Sequence, residues 1–365
     1  MDDHADPPDD AEPPDPLVGR LLNDRYQVLA RVGEGGMGYV YKARQEPIGR
    51  LVALKVLLQE VAENEQAVRR FLNEARIISQ LRHPNTVSLI DFGHLEGTGQ
   101  LFIAMEFLAG GQLRDLLDRG RIDPVAALRM TRQICQSLAE AHAKGIYHRD
   151  LKPENVLLDD VEGEQFVVKV VDFGIAKLNP ALAGLEAGPL SIQLTAPGTR
   201  LGTPAYIPPE QAFGKAIDGR TDLYALGVLL YEMLTGHLPF KSDSEQGLFL
   251  EHLHTPPRPI SEAAPDLAID PAIERLTLQM LEKKPDDRPP SADAVIRTID
   301  QILMRLAPPT EGPTPQGPVT LERARMVDAP TDDTPVTIQR SGPPGWFWAV
   351  LAVGLLAILA VAILR

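Results

Sequence analysis

The stretch His148-Arg149-Asp150-Leu151-Lys152-Pro153-Glu154-Asn155 decides how this sequence is interpreted. Within it, Asp150 can accept a proton from a hydroxyl group, and Lys152 can neutralise phosphate charge. Asn155 and the later Asp172, in Asp172-Phe173-Gly174, offer oxygen ligands for a hard cation. A proton acceptor, a cation and a metal-binding pair in this order are typical of phosphoryl-transfer chemistry.

A glycine-rich stretch lies upstream, Gly33-Glu34-Gly35-Gly36-Met37-Gly38-Tyr39-Val40, with the pattern G-x-G-x-x-G-x-V. Glycines permit tight turns and let backbone N–H groups approach phosphates without a Cβ in the way. A dinucleotide-binding loop lies between a strand and a helix, whereas here a second strand is predicted to follow. Lys55, in Val52-Ala53-Leu54-Lys55, follows that strand. The arrangement favours a hairpin that covers nucleotide phosphates.

Together these motifs resemble those of the eukaryotic-like bacterial serine/threonine protein kinases, and the resemblance covers about residues 25–304. It implies an α+β, bilobal protein-kinase fold, with a small β-rich N-lobe and a larger α-helical C-lobe. It implies transfer of the ATP γ-phosphate to serine and threonine hydroxyls of protein substrates. ATP and Mg²⁺ are the implied cofactors, and Mn²⁺ could replace Mg²⁺.

The apolar pattern agrees with a strand-rich part followed by a helical part. An apolar face at helical spacing predicts a helix over about Ala67–Leu81, which His83-Pro84-Asn85 ends because proline cannot continue it. After Gly110-Gly111 the pattern is mostly helical. The predicted strands are Val28–Val32, Tyr39–Ala43, Leu51–Leu57, about Val87–Phe92 and Phe102–Phe107.

The resemblance implies a role for each residue of the catalytic stretch. Asp150 would orient the substrate hydroxyl and accept its proton, and Lys152 would stabilise the transferred phosphoryl group. Asn155 and Asp172 would bind the Mg²⁺ ions. Thr203, in Gly202-Thr203-Pro204, resembles the threonine that contacts the catalytic aspartate and lysine. A lysine at position 152 resembles the serine/threonine branch of the family.

Lys55 would bridge the α and β phosphates of ATP, and it needs a carboxylate partner to fix its position. Glu74 lies in the middle of the predicted helix and has the order and spacing of the family's partner. Glu63 and Glu65 are poorer candidates because they precede the periodic part of the helix. The alternative interpretation of Glu74 is an ordinary solvated side chain.

The resemblance also implies the residues that bind ATP. The backbone of Glu106 and Leu108 would bind the adenine edge, Met105 would guard the pocket behind it, and Val40 and Ala53 would cover the adenine face. Because apolar residues occur in any core, their assignment rests on the resemblance. The glycine-rich residues around the phosphates are Val32, Gly33, Glu34, Gly35, Gly36, Met37 and Gly38.

Arg149 precedes the proposed base, and its guanidinium can bind a phosphate bidentately. Family members with this arginine are usually activated by phosphorylation of the segment that here runs from Asp172 to Glu210. The preferred acceptors in it are Thr199 and Thr195, with Ser191 as a further candidate.

Further along the chain, Pro208-Pro209-Glu210 stands where the family has Ala-Pro-Glu or Ser-Pro-Glu, so its first residue departs from the pattern. Glu210 is expected to pair with Arg288, and Asp222 resembles the residue that anchors the backbone of the catalytic loop.

Composition sets limits on what the whole chain of 365 residues does. Its hydrophobic content of 44% can form a large core, and its net charge of −14 argues against nucleic acid as a partner. Residues 1–16 hold seven acidic side chains and five prolines. We therefore predict a disordered, acidic, proline-rich tail over residues 1–24, with a solvating or a docking role.

The other end of the chain has a different character. Trp346–Leu364 contains no charged residue, and as a helix it would span about 28 Å, close to the hydrocarbon thickness of a bilayer. We predict a single C-terminal transmembrane helix over residues 345–365, after a flexible Pro/Thr-rich linker over residues 305–344. The alternative is a buried globular helix, but it would need a polar face that the sequence lacks.

These features predict a single-pass protein of the inner membrane whose kinase domain faces the ATP of the cytoplasm. The linker arginines Arg323, Arg325 and Arg340, against Arg365 beyond the apolar run, agree with the positive-inside rule. A tether in the membrane plane would favour homodimers that phosphorylate one another in trans. The linker threonines admit two interpretations, namely sites that recruit phosphothreonine-binding proteins or a plain solubilising composition.

Two other functions stay open at this point. A pseudokinase scaffold would bind nucleotide without phosphotransfer, but it needs the loss of a base, metal ligand or lysine that is present here. A small-molecule kinase of related fold would lack the element from Thr203 to Glu210 and its partner Arg288.

Overall fold

The computed structural model describes residues 15–35, 37–161, 165–173, 204–212 and 216–307. Its amino-terminal part, up to Glu106, is called the small lobe and contains an antiparallel sheet with strand order β1-β2-β3-β4-β6-β5. The strands are β1 Leu21–Leu22, β2 Tyr26–Gly35, β3 Gly38–Gln45, β4 Arg50–Leu57, β5 Leu89–His94 and β6 Leu101–Glu106.

The pairing of these strands sorts their side chains onto two faces. Val40 lies opposite Lys55, and Ala53 lies opposite Met105. Because side chains alternate along a strand, these four residues share one face. The opposite face carries a buried apolar cluster that includes Tyr26, Val28, Tyr41, Ala43, Val52, Leu54, Val56, Phe102 and Ala104.

The helix α2, Glu65–Gln80, covers the first face after a single turn, α1 Gln59–Ala62. Asn64 caps it, since its side chain accepts hydrogen bonds from the N–H groups of Gln66 and Ala67. The helix therefore begins two residues earlier than the apolar pattern predicts. Phe71, Ala75 and Ile78 on this helix pack against sheet residues that include Ile103 and Met105.

The large lobe, from Phe107 onwards, is mainly helical and has its own core. The core is built around the helix Gly219–Thr235, which is buried from Thr221 to Thr235. A two-stranded antiparallel ribbon, β7 Val156–Val161 and β8 Gln165–Val170, follows the catalytic stretch. The helices are α3 Leu113–Leu117, α4 Pro124–Ala143, α5 Pro209–Ala212, α6 Gly219–Thr235, α7 Glu245–His254, α8 Ile260–Ala263, α9 Pro271–Met280 and α10 Ala292–Leu306.

The structure differs from the predicted disordered tail at residues 15–24. These residues form a turn and the strand β1, which pairs with β2. The physical reason is burial, because Leu17 and Leu22 pack into the core of the small lobe. At the other end, α10 extends to Leu306, two residues into the predicted linker.

The rest of both predicted termini lies outside the described residues, and so does the whole predicted transmembrane helix over residues 345–365. Within the described ranges, no helix has both the length and the apolar character needed to cross a membrane.

Candidate active site

The buried carboxylate of Asp222, near the start of α6, binds the backbone of the catalytic stretch. Asp222 accepts hydrogen bonds of 2.8 Å from the backbone N–H groups of His148 and Arg149 and is 2.8 Å from Nε2 of His142. Burial alone would raise the pKa of Asp222, but its hydrogen bond to His142 and the nearby imidazoles hold the pKa below its usual range. An ionised carboxylate therefore fixes this loop to the core of the large lobe.

Two residues of the site have a left-handed backbone conformation, which is uncommon for residues other than glycine. They are Arg149, with a φ of 64°, and Asp172, with a φ of 51°. Conformations of this kind persist only where neighbours hold them, and they concentrate at functional sites. Asp222 holds the first, and the 2.9 Å contact between His148 Nε2 and the carbonyl oxygen of Val171 restrains the chain beside the second.

Three predicted site residues come together on this loop. Lys152 Nζ lies 3.0 Å from Oδ2 of Asp150. The side-chain amide of Asn155 donates to the backbone oxygen of Asp150 at 2.8 Å and lies 3.4 Å from its Oδ2. The base candidate is thus held by Lys152 at its carboxylate and by Asn155 at its backbone oxygen.

A second group forms where the small lobe faces this loop. Lys55 Nζ lies 2.6 Å from Oε1 of Glu74 and 3.1 Å from Oδ1 of Asp172. The Glu74 side chain is 8% exposed, whereas that of Asp172 is 46% exposed. The other candidate on this helix, Glu65, is 87% exposed and pairs with Arg69. The structure thus brings Lys55, Glu74 and Asp172 together and leaves Glu65 at the surface.

The charges of this group act on one another. Burial would lower the pKa of Lys55, but the carboxylates of Asp172 and Glu74 outweigh burial and raise it above its usual value. Burial raises the pKa of Glu74 to about 7 against the opposing effect of Lys55. The Lys55 ammonium lowers the pKa of Asp172. Asp172 is therefore the carboxylate that carries its negative charge most readily.

The predicted adenine residues lie along the same face of the sheet as Lys55. Val40, Ala53 and Met105 share it by strand register, and Met105 is only 8% exposed. Glu106 and Leu108 are half-buried where the chain leaves β6. Between them, the Phe107 ring lies 4.8 Å from Nζ of Lys42, a contact that no pattern in the sequence indicated.

The glycine-rich hairpin is mostly strand. Gly33 pairs with Val40 and Gly35 with Gly38, so the cross-strand pairing of β2 with β3 continues up to these glycines. A Cβ at Gly38 would overlap the carbonyl oxygen of Val56 on β4, whereas a Cβ at Gly33 would only make an ordinary van der Waals contact with the Val40 side chain. Gly38 is thus required by the packing of β3 on β4, a reason separate from phosphate access. Of the other predicted loop residues, Val32, Glu34 and Met37 are described and Gly36 is not.

An expected and an unexpected contact of the large lobe hold the region around Glu210. Arg288 donates to both carboxylate oxygens of Glu210, at 2.7 and 2.9 Å. Gln211, next to Glu210, donates to the backbone oxygen of Arg149 at 3.1 Å, which ties this region to the catalytic loop. The sequence contained no signal for Gln211. Thr203 and the predicted phosphate acceptors Ser191, Thr195 and Thr199 lie outside the described residues.

The oxygen groups of Asn155 and Asp172 fit the predicted Mg²⁺ ions. Among the described residues, no group of three or more His, Cys, Asp or Glu side chains could hold a metal ion. Mg²⁺ does not need such a cage, because it binds through one or two protein oxygens together with waters and substrate phosphates. An ionised, partly exposed Asp172 and the amide oxygen of Asn155 are donors of this kind.

Comparison with known proteins agrees with this geometry. Residues 26–298 match the family model described as a protein kinase domain. The chain is 44% identical over 296 residues to the serine/threonine-protein kinase pkn3 of Myxococcus xanthus, covering 80% of this chain and 53% of pkn3. It is 39% identical over 285 residues to the DNA damage-responsive serine/threonine-protein kinase RqkA of Deinococcus radiodurans, covering 76% and 39%. The chain thus spans about half or less of the length of these relatives.

Solved structures show the same fold. The kinase domain of Mycobacterium tuberculosis PknI is 26% identical, with a TM-score of 0.56, and the alignment covers 78% of this chain and 97% of that domain. A structure of Rad53 residues 1–466 in complex with AMP-PNP is 25% identical, with a TM-score of 0.59, over 75% of this chain and 64% of that one. Given the matched family model, the bilobal fold and the bacterial relatives, this chain belongs to the protein kinase domain family, among its eukaryotic-like bacterial serine/threonine members.

Proposed function

We propose that the chain is an active serine/threonine protein kinase that transfers the γ-phosphate of ATP to serine and threonine hydroxyls of proteins. The observation that carries this proposal is the close approach of Lys55, Glu74 and Asp172 opposite the loop that bears Asp150. The contact joins a residue of the small lobe to one that follows β8 in the large lobe. It forms only if both lobes are in place, so the arrangement suits ATP held between them.

Asp150 is the proposed base. It accepts a hydrogen bond from the substrate hydroxyl and aims the hydroxyl oxygen at the γ-phosphorus. It takes the proton as the new P–O bond forms and the bond from the γ-phosphorus to the bridging oxygen of the leaving ADP breaks. Its carboxylate, which is 32% exposed, is within reach of such a hydroxyl. Lys152, 3.0 Å away, places positive charge where the phosphoryl group crosses. The hydrogen bond from the Asn155 amide to the Asp150 backbone keeps the loop in this shape.

ATP would lie against the sheet face formed by Val40, Ala53 and Met105, with its adenine edge on the backbone of Glu106 and Leu108. Lys55, held by Glu74, would contact the α and β phosphates. The glycine-rich hairpin would cover the phosphates, and its proposed members are Val32, Gly33, Glu34, Gly35, Gly36, Met37 and Gly38. The AMP-PNP in the Rad53 structure supports a nucleotide site in this fold.

Mg²⁺, with Mn²⁺ as an alternative, would be held by Asn155 and Asp172, and when bound it neutralises phosphate charge. Glu74 has its pKa raised by burial and pairs with Lys55, so it is the weaker candidate ligand. Thr203 would contact Asp150 and Lys152 from the end of the activation segment.

Phosphate transfer tests the proposal directly. With Mg²⁺ and radiolabelled ATP, Asp150→Asn should lower incorporation into serine and threonine by about 10²- to 10⁴-fold, because the base is lost while the shape of the side chain is kept. Asp118→Asn is the matched control, since Asp118 is 65% exposed at the end of α3 and pairs with Arg114, and it should keep wild-type activity. A pseudokinase scaffold would bind ATP and transfer no label even as the wild type.

We further propose that residues 345–365 anchor the protein in the inner membrane, with the kinase domain in the cytoplasm and residues 305–344 as a tether. The charge-free apolar run supports the anchor. Activation would follow from phosphorylation in trans between two copies, at Thr199, Thr195 or Ser191. Phosphorylated linker threonines would recruit phosphothreonine-binding proteins.

Truncation separates the anchor from the chemistry. Removal of residues 341–365 should leave the catalytic rate of the activated enzyme unchanged but lengthen the lag before self-activation at low protein concentration, since the tether raises the local concentration. The lag would be followed on vesicles by phosphosite mapping over time. Equal lag times with and without residues 341–365 would contradict the proposed role of the anchor.

A further inference from the structure

An ion pair connects the two predicted ends of the ATP site, the adenine end at Glu106 and the phosphate end that follows β8. Lys169 Nζ, on β8 of the large lobe, lies 2.7 Å from Oε1 of Glu106, the last residue of β6. The Lys169 side chain is 12% exposed and that of Glu106 is 28% exposed. A charge-assisted hydrogen bond this short and this shielded is stronger than a surface pair.

The Glu106 end of the pair is fixed by Ser88, the residue before β5. The Glu106 N–H donates to the carbonyl oxygen of Ser88 at 3.1 Å, and the Ser88 N–H donates to Oε1 of Glu106 at 2.7 Å. The same carboxylate oxygen therefore accepts from a backbone N–H and from Lys169. Glu106 cannot move relative to its neighbouring strand without losing one of these bonds.

The Lys169 end of the pair is fixed to the segment that carries the proposed Mg²⁺ ligands Asn155 and Asp172. The next residue, Val170, exchanges backbone hydrogen bonds with Asn85 and Val87, at 2.8 and 3.1 Å. The Val171 N–H then donates to the backbone oxygen of Asn155 at 3.0 Å. Asp172 follows immediately. Lys169 thus lies on the strand that positions both proposed Mg²⁺ ligands.

We propose that Glu106 and Lys169 form a positioning pair that sets the distance between the adenine end and the phosphate end of the nucleotide site. This inference rests on the proposed function, because it takes the Glu106 backbone as the adenine acceptor and Asp172 as a Mg²⁺ ligand. ATP·Mg²⁺ must contact both ends at once, whereas adenosine contacts only the first. A pair that keeps the two ends at a fixed distance lowers the entropic cost of ordering the site around ATP·Mg²⁺. It leaves the affinity for adenosine unchanged.

The test compares the dissociation constants of adenosine and ATP·Mg²⁺ for the full-length chain. Lys169→Met keeps the length of the side chain and removes its charge. We expect it to weaken ATP·Mg²⁺ binding about tenfold, the value of one charge-assisted hydrogen bond, and to change adenosine binding less than twofold. Lys169→Arg should restore ATP·Mg²⁺ binding to within about threefold of wild type, because it retains the cation.

Glu106→Gln provides a second route that keeps an acceptor for Ser88. It should reproduce the selective loss, and the double variant Glu106→Gln/Lys169→Met should bind ATP·Mg²⁺ no more weakly than either single variant, since both remove one interaction. Arg132→Met is the matched control, because Arg132 forms an ion pair of similar length with a different carboxylate, Asp300 at 2.6 Å, between α4 and α10. It should leave both dissociation constants unchanged.

The ratio of the two affinities decides the outcome. An unchanged ratio in Lys169→Met, whether both ligands bind as before or both bind more weakly, would overturn the positioning role. A wild-type chain that binds adenosine and ATP·Mg²⁺ equally weakly would count against the proposed kinase activity instead.

Discussion

Lys55 and Arg288 are both cations buried beside carboxylates, but their surroundings differ. Arg288 is fully buried, and its five N–H groups donate to Glu210 twice and to the backbone oxygens of Arg220, Glu282 and Lys283. The Lys55 side chain is 17% exposed, and it donates to two carboxylates, one of which is 46% exposed.

This difference indicates a structural role for Arg288 and a ligand-binding role for Lys55. A guanidinium with every donor used has no capacity left for a ligand, so the Arg288 pair joins distant segments of the large lobe. Lys55 shares its charge between Glu74 and Asp172, and Asp172 retains an exposed side for a cation. We therefore expect loss of the first cation to reduce stability and loss of the second to reduce catalysis.

The largest expected effect is on folding. Arg288→Met leaves the Glu210 carboxylate buried without its partner, and it should lower the free energy of unfolding by about 3–5 kcal/mol. Chemical denaturation followed by far-ultraviolet circular dichroism measures this loss. Arg305→Met is the control, since Arg305 is 55% exposed and pairs with Asp270 at the surface. The control should cost less than about 1 kcal/mol.

The next effect is on catalysis. Lys55→Met should lower kcat/KM for ATP by about 10²- to 10³-fold, because a positioned cation at the phosphates is lost. Its cost in stability should stay below that of Arg288→Met, since Glu74 already has a raised pKa and can take up a proton once Lys55 is gone. Phosphate transfer and denaturation of the same samples would check both statements. Equal stability losses in the two variants would break the comparison.

The contributions of the two regions to the free energy of unfolding should also change with pH in opposite directions. Burial raises the pKa of Glu74 from 4.5 to about 7, so the folded chain binds this proton more tightly, and stability falls as pH rises between these values. Near Arg288, Tyr224 contacts both its guanidinium and His252. Burial, with the charge of Lys283, lowers the pKa of His252 from 6.5 to about 4, so stability falls as pH drops through that range.

Between pH 5 and 7 these two contributions should nearly cancel, each amounting to about 2 kcal/mol. In Glu74→Gln only the contribution of His252 remains, so stability should rise as the pH is raised from 5 to 7. In His252→Asn only the contribution of Glu74 remains, so stability should fall as the pH is raised from 5 to 7. Denaturation at pH 5, 6 and 7 measures both slopes. Glu65→Gln, on the exposed side of α2, should behave as the wild type, and identical slopes in all three variants would contradict both assignments.

Much of the fold followed from local patterns. The predicted strands lie inside or beside those of the structure, because alternating apolar residues indicate strands wherever one face is buried. The predictions failed at boundaries. Asn64 starts α2 early by capping it, and β2 runs through Gly35 because cross-strand bonds to β3 continue into the motif. Leu17 and Leu22 fold part of the acidic tail onto the sheet, which composition alone could not indicate.

The candidate site was predictable where residues are close in sequence. Asp150, Lys152 and Asn155 lie within one short loop, so their spacing alone predicts that they come together. Lys169 and Gln211 carried no signal, because each acts through a partner more than sixty residues away and neither belongs to a motif.

The sequence by itself determined which chemical groups this protein has and in what order, and this was enough to identify the kinase family. Only the tertiary structure decided how the groups share charge. The carboxylates of Asp172 and Glu74 raise the pKa of Lys55, which lies between them, while three carbonyl oxygens and one carboxylate saturate the donors of Arg288. The physical reason is that burial and the distances between charges depend on how the two lobes and their helices pack, and packing brings together residues that are far apart along the chain.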